Sequence, residues 1–151
     1  MQIRKVGVLG CGLMGSGIAE VAARAGYETV VREVSEEIVE KGIQKIHGSL
    51  GKAVEKGKMS AEDRDQTLSR LSGAVGLDAL ADCDIVVEAI VENLEEKRKT
   101  FTALDEIVKK DALFASNTSS LTITQMAMFT RRPDQFVGLH FFNPVPVMKL
   151  V

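Results

Sequence analysis

An α/β fold, with a doubly wound, mostly parallel sheet and helices on both of its faces, is what this sequence predicts. Three observations predict it. Short apolar runs alternate with helix-like segments along the whole chain, a glycine-rich turn joins the first run to the first helix, and the polar residues best suited to chemistry follow strand-like runs. Strands covered on both faces read as near-continuous apolar runs, and such runs alternating with helices point to parallel pairing.

The first run, Lys5 to Leu9, is followed by Leu13 to Ala25, a segment rich in helix formers that stops at Gly26, a natural C-terminal breaker. Glu28 to Val31 is the second run and completes a strand-helix-strand unit of about thirty residues. Ser35, followed by Glu36 and Glu37, opens a long helix in which Val39, Ile43, Ile46, Leu50 and Ala53 recur at three- and four-residue steps. Ser60-Ala-Glu-Asp63 has capping-box form and starts another short helix, and Leu94, Phe101, Leu104 and Val108 mark the core face of a later one. The remaining runs are Ile85 to Ala89, Ala112 to Ala115 and Phe136 to Leu139. Pro133, Pro144 and Pro146 punctuate only the last fifth, and no repeat, low-complexity tract or linker divides the sequence, so residues 1–151 are expected to form one domain.

With 45% hydrophobic residues in 151, the chain is long enough to bury a core. Its 19 basic and 21 acidic residues leave a formal charge of -2, so no global field draws it to nucleic acid or an anionic membrane. Any anionic ligand must be held by local geometry. Cys11 and Cys83 stand far apart, without histidines at metal-ligand spacing, so neither a disulfide framework nor a metal site is expected. The absence of a leader-like start or an apolar run of membrane-spanning length predicts a cytoplasmic protein.

The first run leads directly into Gly10-Cys-Gly12-Leu-Met-Gly15, and the helix begins inside that turn. In this setting the first glycine permits the tight turn, the second lets backbone approach a pyrophosphate, and the third allows close helix-strand packing, with phosphate meeting a helix N-terminus. Residues 10–15, Cys11, Leu13 and Met14 included, are therefore the predicted dinucleotide cradle, with the Cys11 side chain a small filler and not a nucleophile. Glu33 follows the second strand, 18 residues after Gly15, where a carboxylate accepts from ribose hydroxyls and repels a 2′-phosphate. That favours NAD over NADP, although Glu33 also belongs to a charged cluster with Arg32, Glu36 and Glu37, and Arg32 is a possible partner for a 2′-phosphate.

Ligands of open α/β sheets bind beyond the carboxyl ends of the strands. Three predicted strands end in polar residues there: Ile85 to Ala89 leads to Glu92 and Lys97, Ala112 to Ala115 to Ser116-Asn-Thr-Ser-Ser120, and Phe136 to Leu139 to His140-Phe-Phe-Asn143-Pro. His47, on the long helix, reads as structural or merely exposed. His140 sits at a strand end beside a proline-rigidified turn, where an imidazole is placed to exchange a proton. The serine-rich segment has a structural alternative, since Ser120 or Thr122 can cap a helix running to Phe129, and a capping role remains open for Ser119.

Four segments, Gly10-Cys-Gly-Leu-Met-Gly-Ser-Gly17, Val87-Glu-Ala-Ile-Val-Glu-Asn93, Ala115-Ser-Asn-Thr-Ser-Ser-Leu121 and Gly138-Leu-His-Phe-Phe-Asn-Pro-Val-Pro-Val-Met-Lys-Leu150, occur in this order. Through them the chain, from Val6 to Val151, resembles the N-terminal NAD-binding domain of the short-chain 3-hydroxyacyl-CoA and 3-hydroxybutyryl-CoA dehydrogenases. The resemblance implies a Rossmann-type fold in which Gly10 to Gly15 cradle the pyrophosphate and Glu33 takes the ribose position, where the family usually has aspartate. Glu92, Lys97 and Asn143 would line the nicotinamide half, Ser119 would touch both cofactor and substrate, and Ser49 and Lys56 would contact coenzyme A. From the residues alone, Lys52, Lys56 and Lys58 look like an ordinary solvated face.

The implied reaction is reversible oxidation of an (S)-3-hydroxyacyl-CoA to the 3-oxoacyl-CoA, with 3-hydroxybutyryl-CoA and acetoacetyl-CoA as the expected pair. His140 would take the hydroxyl proton, and Ser119 would orient the oxygen. The resemblance places the glutamate that pairs with the histidine just past Val151, and the helical second domain that forms the family's dimer outside these residues. On that basis the 151 residues alone are expected to bind NAD and turn over poorly. Two rivals remain: another Rossmann hydroxyacid dehydrogenase with a lysine base elsewhere, against which Leu139-His-Phe-Phe-Asn143 argues, and a non-catalytic module that holds NAD as a ligand.

Overall fold

The computed structural model describes residues 2–151. The strands are β1 (Lys5–Leu9), β2 (Glu28–Arg32), β3 (Leu71–Ala74), β4 (Ile85–Glu88), β5 (Leu113–Ser116) and β6 (Phe136–Gly138), all parallel in the order β3-β2-β1-β4-β5-β6. The helices are α1 (Leu13–Arg24), α2 (Glu36–Glu55), α3 (Ala61–Ser69), α4 (Leu94–Ile107) and α5 (Ile123–Ala127), with single 3-10 turns at Leu77–Leu80 and Pro133–Gln135. Strand order reverses between β1 and β4, the switch point at which such sheets open a crevice. The expected doubly wound fold is present. β3 is an addition, because its Leu-Ser-Gly-Ala sequence carries no apolar run; it is one edge of the sheet, paired only with β2.

Successive strand residues feed opposite faces, which accounts for the unbroken apolar runs. Val31, Val87 and Ala115 join Ile18 of α1 and Ile46 and Leu50 of α2 in one core. Their neighbours Val30, Val86 and Phe114 join Leu80, Phe101, Leu104 and Met126 in the other. Phe101 is fully buried, with ring centroids 5.9 Å from Phe114 and 4.7 Å from Phe136 in edge geometry. It clamps α4 to β5 and β6.

The helix boundaries follow from local chemistry. Ser35 accepts from Ile38 N at the start of α2, and Ser60 from Asp63 N at the start of α3, each satisfying one orphan N–H. Asn93 does the same for α4, accepting from Glu96 N at 3.1 Å. Gly26, at φ +99, ends the α1 segment as expected. Neither Ser120 nor Thr122 caps α5 through its side chain, because Thr122 at its N-cap makes no side-chain bond and the Ser120 hydroxyl turns toward Glu92. Among the described residues, no helix is long and apolar enough to cross a membrane, and no group of His, Cys, Asp and Glu is arranged to hold a metal.

Candidate active site

The turn between β1 and α1 has the form a pyrophosphate requires. Gly10 adopts φ +88, and a Cβ there would lie 2.6 Å from the Ala89 carbonyl oxygen, so only glycine fits. At Gly15 a Cβ would lie 1.8 Å from the Gly10 carbonyl oxygen, which locks the helix onto the turn. A Cβ at Gly12 would meet nothing within 4 Å, so this side of the turn is open. Gly12 is the N-cap of α1 and makes no side-chain cap, and no acid stands in the first turn, leaving the positive helix end free for an anion. Leu13 is largely exposed. The Cys11 side chain is buried against Gly42 of α2, and burial pushes its thiol up to about 11, in keeping with a filler.

Glu33 follows β2 and reaches the turn. Its Oε1 accepts from Cys11 N at 2.8 Å and its Oε2 from Val34 N at 3.0 Å. Glu33 and Val34 line a groove of about 630 Å³ with Gly10, Gly12, Ile38 and Ile90. The Arg32 guanidinium also borders it, but its Nε is bonded to the Val75 carbonyl at 2.7 Å.

The three polar strand ends converge. Met14, Glu92, Lys97, Asn117, Ser119, His140 and Asn143 border one cavity of about 370 Å³ beside the switch point. Ser119 and His140 are exposed there, and the His140 ring lies 5.0 Å, centroid to centroid, from Phe142. Asn117 Oδ1 accepts from Phe141 N at 2.8 Å, fixing the turn that carries His140. Lys97 and Glu92 were named from the sequence, whereas Asn117 and Glu88 were given no role there.

Behind that wall lies an ionic network. Lys97, 1% exposed, donates from Nζ to Glu88 Oε1 and Oε2 at 2.8 and 2.9 Å, and lies 3.1 Å from Glu92 Oε2. Glu88, fully buried at the end of β4, also accepts from Ile90 N at 2.7 Å and from Ser116 Oγ at 2.5 Å. Glu92 faces the cavity and accepts from the Thr118 hydroxyl. Partial burial opposes its charge, but the bonds from Thr118 and Lys97 outweigh that and hold its carboxyl below the usual range. Lys97 thus spends its donors inside the protein.

Ser49 borders a second cleft, between α1, α2 and the 143–147 segment, with Gly17, Glu20, Lys45 and Val145. Lys56 is the C-cap of α2, seven residues along, which puts it on the same helix face about 10 Å further. It is exposed and outside both cavities, as His47 is.

Residues 5–151 match the family described as 3-hydroxyacyl-CoA dehydrogenase, NAD binding domain. A 3-hydroxybutyryl-CoA dehydrogenase of Bradyrhizobium diazoefficiens is 48% identical over 149 residues, 99% of this chain and 51% of that protein. The 3-hydroxyadipyl-CoA dehydrogenase of Escherichia coli K12 is 43% identical over 151 residues, all of this chain and 32% of that one. The crystal structure of an (S)-3-hydroxybutyryl-CoA dehydrogenase from Ralstonia eutropha matches with a TM-score of 0.96 at 43% identity, over 99% of this chain and 53% of that one. The chain spans about half the length of the first of these relatives.

Proposed function

The chain belongs to the 3-hydroxyacyl-CoA dehydrogenase NAD-binding family, and from that premise we propose that it carries the cofactor site and the general base of an (S)-3-hydroxyacyl-CoA dehydrogenase. The observation that supports this best is the convergence of His140, Ser119, Asn143 and Glu92 on one cavity adjoining the glycine turn. When bound, NAD supplies the hydride acceptor for oxidation and, reduced, the donor for the reverse reaction.

The protein's part is to hold and orient. The Gly10–Gly15 turn and the α1 N-terminus hold the pyrophosphate, and Glu33 accepts from the adenosine ribose. Glu92 and Asn143 border the nicotinamide half, with Lys97 setting the position of Glu92. An imidazole nitrogen of His140 takes the hydroxyl proton of the 3-hydroxyacyl thioester as C3 loses hydride, and the Ser119 hydroxyl donates to the same oxygen. In reduction the imidazolium returns the proton. The cleft at Ser49, with Lys56 beyond it, receives part of coenzyme A. Two unpaired, buried cysteines accord with a reducing compartment, and we assign the protein to the cytoplasm.

The test is acetoacetyl-CoA-dependent oxidation of NADH by the full-length protein and its His140→Gln variant. The variant is expected to lose roughly two to four decades of turnover with NADH affinity almost unchanged. Retained turnover removes His140 from the mechanism. NADH binding with no acyl-CoA-dependent oxidation in the unaltered protein makes this a binding module.

A further inference from the structure

The network behind the cavity contains two carboxylates and one ammonium. Lys97 and Glu88 are both buried and are bonded through both carboxylate oxygens, so each cancels the other's charge in a low-dielectric setting. Glu92 is then left over. It is 40% exposed on the side of the cavity, and its bonds from Thr118 and Lys97 favour the ionised form. Besides Glu92, the ionisable groups among the described residues bordering that cavity are Lys97, whose charge Glu88 cancels, and His140.

A second carboxylate is not needed to neutralise Lys97. Held ionised by Thr118 and Lys97, Glu92 adds one unit of negative charge beyond the neutral Glu88–Lys97 pair, and it does so on the side of the cavity. The nicotinamide ring is a cation when oxidised and neutral once it has taken hydride. We propose that Glu92 is a redox-state selector: Glu88 absorbs the charge of Lys97, and the surplus anion at Glu92 stabilises the oxidised ring relative to the reduced one. The inference rests on the placement of the nicotinamide in this cavity. Glu88 acts through Lys97 and Glu92 and is a positioning residue.

The prediction concerns the ratio of affinities, since contacts common to both ring states cancel in it. Calorimetric titration with NAD+ and fluorescence titration with NADH, at about pH 8.5 where an imidazole is ordinarily uncharged, give that ratio for each protein. Glu92→Gln is expected to weaken NAD+ relative to NADH by about tenfold, the scale for one unit charge at several ångströms beside a partly solvated cavity. Glu92→Asp keeps the charge and should keep most of the ratio. Glu88→Gln leaves Lys97 free to neutralise Glu92 and should move the ratio in the same direction as Glu92→Gln. Glu92→Gln and Glu92→Asp decide the matter whether or not the buried Glu88 site tolerates substitution. An unchanged ratio in Glu92→Gln, or an equal loss of both cofactors, overturns the selector. Failure of the unaltered protein to bind either cofactor overturns the placement of the nicotinamide instead.

Discussion

Asn117 accepts, through Oδ1, a 2.8 Å hydrogen bond from the backbone N–H of Phe141, tying the turn after β5 to the turn after β6 one residue beyond His140. One turn presents Ser119 and the other His140, so this bond fixes the relative placement of the two groups proposed to meet one substrate oxygen. Asn117→Ala leaves the Phe141 N–H without its acceptor and frees the second turn. Turnover should fall by about tenfold or more, because small misplacements of reacting groups are costly, while NADH affinity stays within about twofold. Steady-state kinetics and an NADH titration check this, and unchanged turnover would show that the bond does not position His140.

Glu33 lends its two oxygens to Cys11 N and Val34 N, which holds the carboxylate at the mouth of the groove beside the glycine turn. The neighbouring Arg32, considered above as a partner for a 2′-phosphate, is anchored to Val75 O through Nε. NADH should therefore bind at least about tenfold more tightly than NADPH, with the gap narrowed in Glu33→Gln. The chain has no tryptophan to obscure NADH fluorescence. Equal affinity for the two cofactors would remove Glu33 from the ribose site.

The glycine turn and the polar strand ends were legible because each is local: a motif of six residues, or a polar residue that ends an apolar run. β3 was not, since an edge strand with Ser72 and Gly73 at its centre needs no apolar run. Glu88 was hidden in another way. In sequence it lies inside the strand-like run Ile85 to Ala89, one residue before its end, and its partner Lys97 lies nine residues on in α4. Only the fold of the β4–α4 connection brings the ammonium, in the first turn of α4, back to it. Asn117 and Thr118 were masked by their serine-rich surroundings, where a cap or turn accounts for any hydroxyl or amide.

Phe101 offers a test of the core that leaves the cavity alone. It is fully buried between Phe114 and Phe136 and is absent from the residues around His140. Phe101→Ala should destabilise the protein by about 3–5 kcal/mol, from lost transfer energy plus an unfilled cavity. Urea unfolding followed by far-ultraviolet circular dichroism measures it. A loss under about 1 kcal/mol would mean that α4 does not depend on this ring.

Asp84, just before β4, ties together the start of β1 and the segment after α4 at the end of the sheet away from the site. Its Oδ2 accepts from Arg4 N at 2.7 Å and Lys5 N at 2.8 Å, and its Oδ1 accepts from the Lys109 ammonium. The Lys109 bond, with those from the Arg4 and Lys5 N–H groups, holds the carboxyl well below the usual carboxylate range against the opposing effect of burial. Asp84→Asn keeps the shape but removes the charge, and should cost about 2 kcal/mol at neutral pH, the scale of a hydrogen bond to a charged group. The sign of the pH dependence follows from the depressed value. Asp84 stabilises the fold fully above its unfolded value, about 3.9, and the contribution fades as pH falls toward the lower folded value. The stability gap between the unaltered protein and Asp84→Asn should therefore be constant from about pH 8 to pH 5 and shrink steadily below about pH 4. Asp105, also held low by its arginine partners, titrates in the same window but is present in both proteins, so its contribution cancels in the difference. Urea unfolding of the pair at stepped pH measures the gap, and one that holds its neutral-pH size to about pH 2, or widens on acidification, would show that the ionised form of Asp84 is not what joins β1 to β4 and the segment after α4.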